Sequence, residues 1–176
     1  MDNVYSIKDS NVNAVAELMA EIKPEWWDFK GAKEQLQNVY ATTKLIGWCL
    51  GESESKPRGW ILCSEAEGYS YLAIECLGFN DNGNCAMEEQ LEQLIVRAED
   101  YAREKKYRNL KYVIGSVDMS CHGKPIADYA KELASLKSYG RKHFDYFAKY
   151  GFVPTGFIPN CYGKNYHGII MMKDLT

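Results

Sequence analysis

At 176 residues, with 46% apolar and 13% aromatic content, the chain is long enough to bury a real core as one domain. A net charge of -3 and a pI near 5.7, with no basic run, argue against nucleic acid or an anionic membrane as partner. No apolar stretch is long enough to span a bilayer and the N-terminus is polar rather than signal-like, so a cytoplasmic protein is expected.

Val4 to Lys8 predicts a short opening strand. Ser10 or Asn11 is placed to cap a helix carrying Val12, Val15, Leu18, Met19 and Ile22, which Pro24 stops. Trp26, Trp27 and Phe29 crowd the next loop, with Gly31 expected to close it. A second helix follows, with Ala32, Leu36, Val39 and Tyr40 on its buried face. Two strands, Leu45–Leu50 and Gly59–Ser64, are joined by the charged turn Glu52–Arg58, and Glu65–Gly68 turns the chain again. Short turns between consecutive strands imply an antiparallel meander.

The stretch Tyr69 to Val117 reads as a strand (Tyr69–Phe79), a polar loop (Asn80–Cys85), a long helix (Ala86 to about Tyr107) and a strand (Leu110–Val117). Leu91, Leu94, Ile95, Ala98, Tyr101 and Ala102 share one face of that helix. Strand, helix and strand in this order predict a parallel crossover of right-handed connection. The loop holding Gly83 aims backbone N–H groups and a helix start at one point, which suits a phosphate-bearing ligand. Glu88 and Glu89 in the first turn suit the helix dipole but repel a pyrophosphate.

Beyond Val117, Asp118–Lys124 is a predicted loop. Pro125 is expected in the first turn of a helix bearing Ile126, Tyr129, Ala130, Leu133 and Leu136. Arg141–Tyr150 predicts another helix, apolar at Phe144, Phe147 and Ala148 and ended by Gly151. Strands Phe152–Ile158 and Gly168–Lys173 close the chain across a loop holding Pro159, Asn160 and Gly163. The fold class is therefore α/β (α+β): a mixed, mostly antiparallel sheet with one parallel strand–helix–strand crossover and helices on both faces.

The six cysteines include no Cys-x-x-Cys pair, and Cys49, Cys63 and Cys76 fall in predicted strands, so buried reduced thiols are expected and a metal site is not. Cys121 and His122 are adjacent, a poor arrangement for a Cys–His nucleophile. Trp26, Trp27 and Phe29 are placed to cap the core between two helices.

Over essentially the whole chain, this order of elements resembles the GNAT N-acetyltransferase superfamily. The most specific likeness is Tyr146-Phe147-Ala148-Lys149-Tyr150-Gly151-Phe152-Val153-Pro154-Thr155-Gly156, which is similar to the family's late helix-to-strand segment. Ile169–Leu175 is similar to its final strand. Asn80–Cys85 is similar to its acetyl-CoA loop, Gly83 matching outright and Cys85 standing as a small residue in a Gly/Ala position.

The resemblance implies one domain over 1–176, with a helical insertion at about 118–138 that lies over the acceptor side or joins a homodimer interface. It implies acetyl-CoA as donor cosubstrate, with the pyrophosphate at Gly83, Asn84, Cys85 and Ala86. Backbone around Leu77, Gly78 and Phe79 would hold the pantetheine arm, with Phe147 and Lys149 of the late helix also on the cofactor side. An amine of a small molecule or peptide would attack the thioester directly, with Glu75 as base, itself or through water, and a strand-end N–H polarising the carbonyl. The family's proton-donating tyrosine falls on Phe147, which cannot donate. Tyr146 is the first stand-in and His143, one turn earlier on nearly the same face, the second. Tyr150 is a third, and a thiolate leaving into water needs none. The other reading is a non-catalytic GNAT-fold protein that binds a ligand or partner, its CoA loop degenerate.

Overall fold

The computed structural model describes residues 3–41, 45–65, 68–80 and 86–176, with the backbone alone at 38–41 and 86–88. They form two units, Met1–Tyr107 and Arg108–Thr176. The expected buried side chains of Val39 and Tyr40, the turn residues Ala66 and Glu67, and the loop residues Gly83, Asn84 and Cys85 lie outside the described residues.

The first unit runs β1 (Asn3–Ser6), α1 (Val12–Ile22), α2 (Phe29–Ala41), β2 (Leu45–Ser53), β3 (Lys56–Glu65), β4 (Tyr71–Phe79) and α3 (Ala86–Glu104). Its strands pair in that order, each antiparallel to the next. Strand alternation sorts the two faces. Cys49, Trp60, Leu62 and Cys76 join Val12, Val15, Met19 and Leu36 in the buried cluster under α1 and α2. Trp48, one residue before Cys49, faces α3 instead and meets Tyr101 edge-on at 5.4 Å. The predicted stripe of α3 is the buried one, with Leu91, Leu94, Ile95, Ala98 and Ala102 inside.

Three local expectations need correction. Asn11 precedes α1 but makes no side-chain cap. It is buried, accepts from the Lys8 N–H at 2.9 Å and donates to the Ser6 carbonyl at 2.9 Å, so it ties β1 to the helix. Gly31 does not close the aromatic loop. It sits in the first turn of α2, where its N–H reaches the Asp28 carboxylate at 2.7 Å, so Asp28 is the cap. The charged turn shrinks because β2 and β3 extend until Ser53 pairs with Lys56, leaving Glu54 and Ser55 as the turn.

The second unit runs β5 (Asn109–Gly115), α4 (Tyr129–Ala134), α5 (Lys142–Lys149), β6 (Val153–Gly163) and β7 (Tyr166–Asp174). Its strands lie in the order β5, β7, β6, all antiparallel. The run β4, α3, β5 thus occurs in the predicted chain order. Pro125 does not open a helix, because Asp128 three residues on takes the Lys131 N–H at 3.0 Å and starts α4 at Tyr129. That helix has six residues and none is buried. The segment closes on itself: Ser120 N–H reaches the Lys137 carbonyl at 2.9 Å and Tyr139 N–H the Asp118 carbonyl at 2.7 Å. Pro159, Asn160 and Gly163 belong to β6 rather than to a loop, and the turn is Lys164 and Asn165.

The end of α5 is as predicted, with Gly151 at φ +84°. Phe152 N–H bonds the Phe147 carbonyl at 3.0 Å and Gly151 N–H the Ala148 carbonyl at 3.1 Å, a Schellman closure. Its hydrophobic contact is Phe147 against Phe152, ring centroids 4.9 Å apart.

Candidate functional site

At Glu75, β4 departs from a regular strand. Leu62 pairs with Cys76 but Cys63 pairs with Ile74, so β4 carries one residue more than β3 at this point. The extra residue is Glu75. A bulge drops a residue out of the ladder and re-aims its side chain. Alternation predicts Glu75 and Cys76 on opposite faces. Instead Cys76 is buried under α1 and α2, and Glu75, exposed, takes a hydrogen bond from the Ser64 hydroxyl on that same face. Nothing in Ile74-Glu75-Cys76 signals a bulge, and Ser64 has no sequence signature as its partner.

The exit of β4 is set by packing. Leu77 is buried, Gly78 pairs with Trp60, and Phe79 is half-buried. A Cβ on Gly78 would lie 2.1 Å from the Trp60 ring, so this glycine exists for the indole. Trp60 is fully buried, and its indole N–H makes no conventional hydrogen bond. It lies against the Cys76 thiol and draws that thiol's pKa down. Burial wins, and Cys76 is pushed up to about 11. Asn80 N–H then bonds the Arg58 carbonyl at 2.7 Å, and α3 begins at Ala86. Glu89 in its first turn is exposed.

On α5, Tyr146 and His143 are half-buried and Lys149 is exposed. Phe147 is fully buried, stacked on Tyr112 at 4.3 Å and meeting Phe152 edge-on. Its ring serves packing in this unit.

Cys121 and His122 are not brought together as a pair. His122 Nδ1 lies 3.0 Å from the Ser116 hydroxyl, while Cys121 is buried and its thiol pushed up by that burial. Ser116 Oγ also accepts the His167 N–H at 3.0 Å. His167 Nδ1 accepts the Asn160 N–H, so its other nitrogen carries the proton and donates to the Lys124 carbonyl at 2.9 Å. This network ties β5, β7 and the segment after β5 together, with each of these atoms partnered.

The aromatic loop splits in function. Trp27 packs on the core cluster, while Trp26 is exposed with the Lys23 ammonium 4.3 Å over its ring. Cys49, Cys63 and Cys76 are free and buried, and Cys161 is free and exposed. Among the described residues no group of His, Cys, Asp and Glu is placed to hold a metal ion, and no helix is long and apolar enough to cross a membrane.

No family sequence model matches the chain, and no curated protein matches it. Solved structures do. The aminoglycoside 6′-N-acetyltransferase of Enterococcus faecium is 13% identical, with a TM-score of 0.85 over 99% of this chain and 97% of that one. An aminoglycoside 6′-N-acetyltransferase complexed with coenzyme A gives 13% identity and a TM-score of 0.84 over 99% and 97%. A protein described as a GNAT-family acetyltransferase, from Desulfovibrio desulfuricans, gives 10% and 0.73 over all of both chains. Likeness at this identity concerns the fold, and the mixed, mostly antiparallel α/β class expected from the sequence is the one observed.

Proposed function

From a fold that is that of the GNAT N-acetyltransferases, we propose that the chain is a single acetyltransferase domain moving acetyl from acetyl-CoA to an amine. The observation that carries this reading is the bulge at Glu75. It sets an exposed carboxylate, steadied by Ser64, on the strand whose end leads into α3. The described residues fit the donor: β4 ends in backbone beyond Leu77 and Gly78, and α3 offers the unpaired N–H groups of a helix start. Acetyl-CoA supplies the acyl group as a thioester, from which an amine nitrogen takes the acetyl as the C–S bond breaks. Gly83, Asn84, Cys85 and Ala86 are the pyrophosphate cradle in this reading, and Leu77, Gly78 and Phe79 the pantetheine rail.

Glu75 takes the proton that the attacking amine loses. Its exposure lets a water stand between carboxylate and amine. Tyr146 gives the proton that the departing sulfur gains, with His143 second, because Phe147 has none to give. The acceptor is a small-molecule amine. A net charge of -3 favours a cationic acceptor, and two of the similar structures act on aminoglycosides by name.

The test is thiol release from acetyl-CoA across an aminoglycoside, a linear polyamine and a peptide N-terminus, beside a melting scan with acetyl-CoA. Release with a small amine and a melting temperature that climbs with ligand concentration are expected. Stabilisation without release from any amine favours a non-catalytic CoA-binding protein, which the buried Phe147 supports. No stabilisation at about millimolar acetyl-CoA removes the donor assignment as well.

A further inference from the structure

We propose that the cleft between α3 and the β1–β2 edge binds a small monocarboxylate with an apolar body. The proposal concerns the first unit alone and does not rest on the acetyltransferase reading.

The cleft follows from two periodicities. Trp48 faces α3 because its neighbour Cys49 faces the other helices, and Ser6, small and exposed, sits opposite Trp48 on β1. Arg97 and Tyr101 of α3 and Lys105, in the turn just past its end with its N–H on the Tyr101 carbonyl at 3.0 Å, are spaced four residues apart. Between them lies a cavity of about 190 Å³ lined by Ser6, Ile7, Ile46, Trp48, Arg97 and Tyr101.

Its charge is set by what is already engaged. The Tyr101 hydroxyl donates to Glu65 at 2.8 Å, and its ring stands edge-on to Trp48, so both are fixed. The Arg97 guanidinium lies 5.1 Å over the Trp48 ring and the Lys105 ammonium 5.6 Å over Tyr101. Among the described residues neither has a carboxylate at ion-pair distance, whereas Lys8, Arg58, Arg103 and Lys124 each do. The Arg97 guanidinium, placed over the indole ring rather than against a carboxylate, keeps its N–H donors available, and their fork matches a carboxylate.

The apolar lining at Ile7 and Ile46 asks for an apolar body. The volume falls below the roughly 300–1,000 Å³ of a drug-sized site, so the ligand is metabolite-sized. Glu65, held at Tyr101, offsets one of the two cationic charges of Arg97 and Lys105, so the cleft carries about one net positive charge, which a monocarboxylate balances.

The experiment uses the full chain with benzoate, benzamide and phenyl phosphate as probes, followed by the Trp48 indole N–H signal in NMR. Benzoate should shift that signal at about millimolar concentration, and benzamide should bind at least about tenfold more weakly, as loss of a charge-assisted bond requires. Arg97→Gln should weaken benzoate by a similar factor at unchanged melting temperature. Equal binding of benzoate and benzamide, an unmoved Trp48 signal, or full binding by Arg97→Gln overturns the site. Tighter binding of phenyl phosphate overturns the monocarboxylate assignment. Should Arg97→Gln fold poorly, Ser6→Phe fills the cleft from its exposed edge; benzoate binding must then disappear, and its survival overturns the proposal.

Discussion

Strand β4 and the junction between α5 and β6 each turn on a glycine, for different reasons. At the junction, Gly151 supplies a backbone conformation, φ +84°, and nothing crowds it: the nearest atom to an added Cβ would be 3.7 Å away. In β4, Gly78 supplies space, because the Trp60 ring occupies the volume a side chain needs. The junction is closed, with its carbonyls taken by Gly151 and Phe152 and its rings packed. The strand is opened three residues before Gly78, where Glu75 leaves the ladder. A closed junction fixes which residues can stand there. An opened strand fixes a geometry that many residue combinations can reach.

The sharpest way to break this comparison is Gly78→Ala. The added methyl meets a fully buried indole at 2.1 Å, so a loss of about 3 kcal/mol is expected, at the upper end for overpacking. Denaturant unfolding measures it, and Trp60→Leu in the same chain should restore part of the loss. A cost below about 1 kcal/mol would mean that the ring has room and the glycine is incidental.

The thiol beside the bulge gives a comparable effect through pH. Burial, partly offset by the Trp60 N–H and the Lys23 charge, holds Cys76 at about 11 against 9.0 for an ordinary thiol. Burial, then the Glu54 charge, does the same for Cys49. A folded pKa above the unfolded one gives stability that is complete below pH 9 and declines as pH rises to about 11, because only the unfolded chain ionises in that window. For Cys76 alone the gap corresponds to roughly 3 kcal/mol. Cys76→Ala should flatten the alkaline limb of the stability curve; an unchanged limb would place the titration elsewhere.

Glu75→Gln tests what the opened strand is for. The residue is exposed, so melting should be unchanged while turnover with the best amine falls about a hundredfold, within the range for a general base. A fall below about threefold leaves the bulge without a catalytic purpose.

The same contrast accounts for what could be read in the residues. Gly151-Phe152 was legible because a Schellman closure needs glycine in the left-handed region and an apolar residue after it. The stripe of α3 was legible from its period, and the meander from the short turns that separate its strands. The bulge was not, since one extra residue leaves the pattern Ile74-Glu75-Cys76 looking like plain alternation. Pro125 misled because a proline permits a helix start without forcing one, and Asp128 offered a stronger cap. Asn11 misled in the same way, its side chain being taken by Lys8 and Ser6. Phe147 reads in the sequence as a missing acid, whereas its burial against Tyr112 and Phe152 gives it a packing task that tyrosine would perform less well.

Gly151→Ala should cost about 1 kcal/mol, the penalty for a side chain in the left-handed region with no clash added. The comparison with Gly78→Ala then separates conformation from space. Equal costs at the two positions would erase the distinction.

The smallest effect belongs to Ser64, and it bears on how the opened strand holds its carboxylate. A bulge aims a side chain only coarsely, since Glu75 has rotatable bonds beyond its Cβ. The Ser64 hydroxyl, one strand over, reaches Oε1 and narrows that choice. Ser64 touches neither donor nor acceptor in the proposed reaction, so it is a positioning residue. Ser64→Ala should lower kcat by about threefold to tenfold, a small part of what a general base contributes, with KM for acetyl-CoA unchanged. Ser64→Thr keeps the hydroxyl and should restore the rate. If Ala matches the unsubstituted chain, the bulge alone orients Glu75. If Thr fails to rescue although its melting temperature is normal, the methyl has displaced the hydroxyl, and the rate loss measures crowding at β3 rather than a missing hydrogen bond. A rescued rate in Thr beside a loss in Ala leaves the hydrogen bond as the cause, because the two variants differ at Glu75 chiefly in whether a hydroxyl is there to meet it.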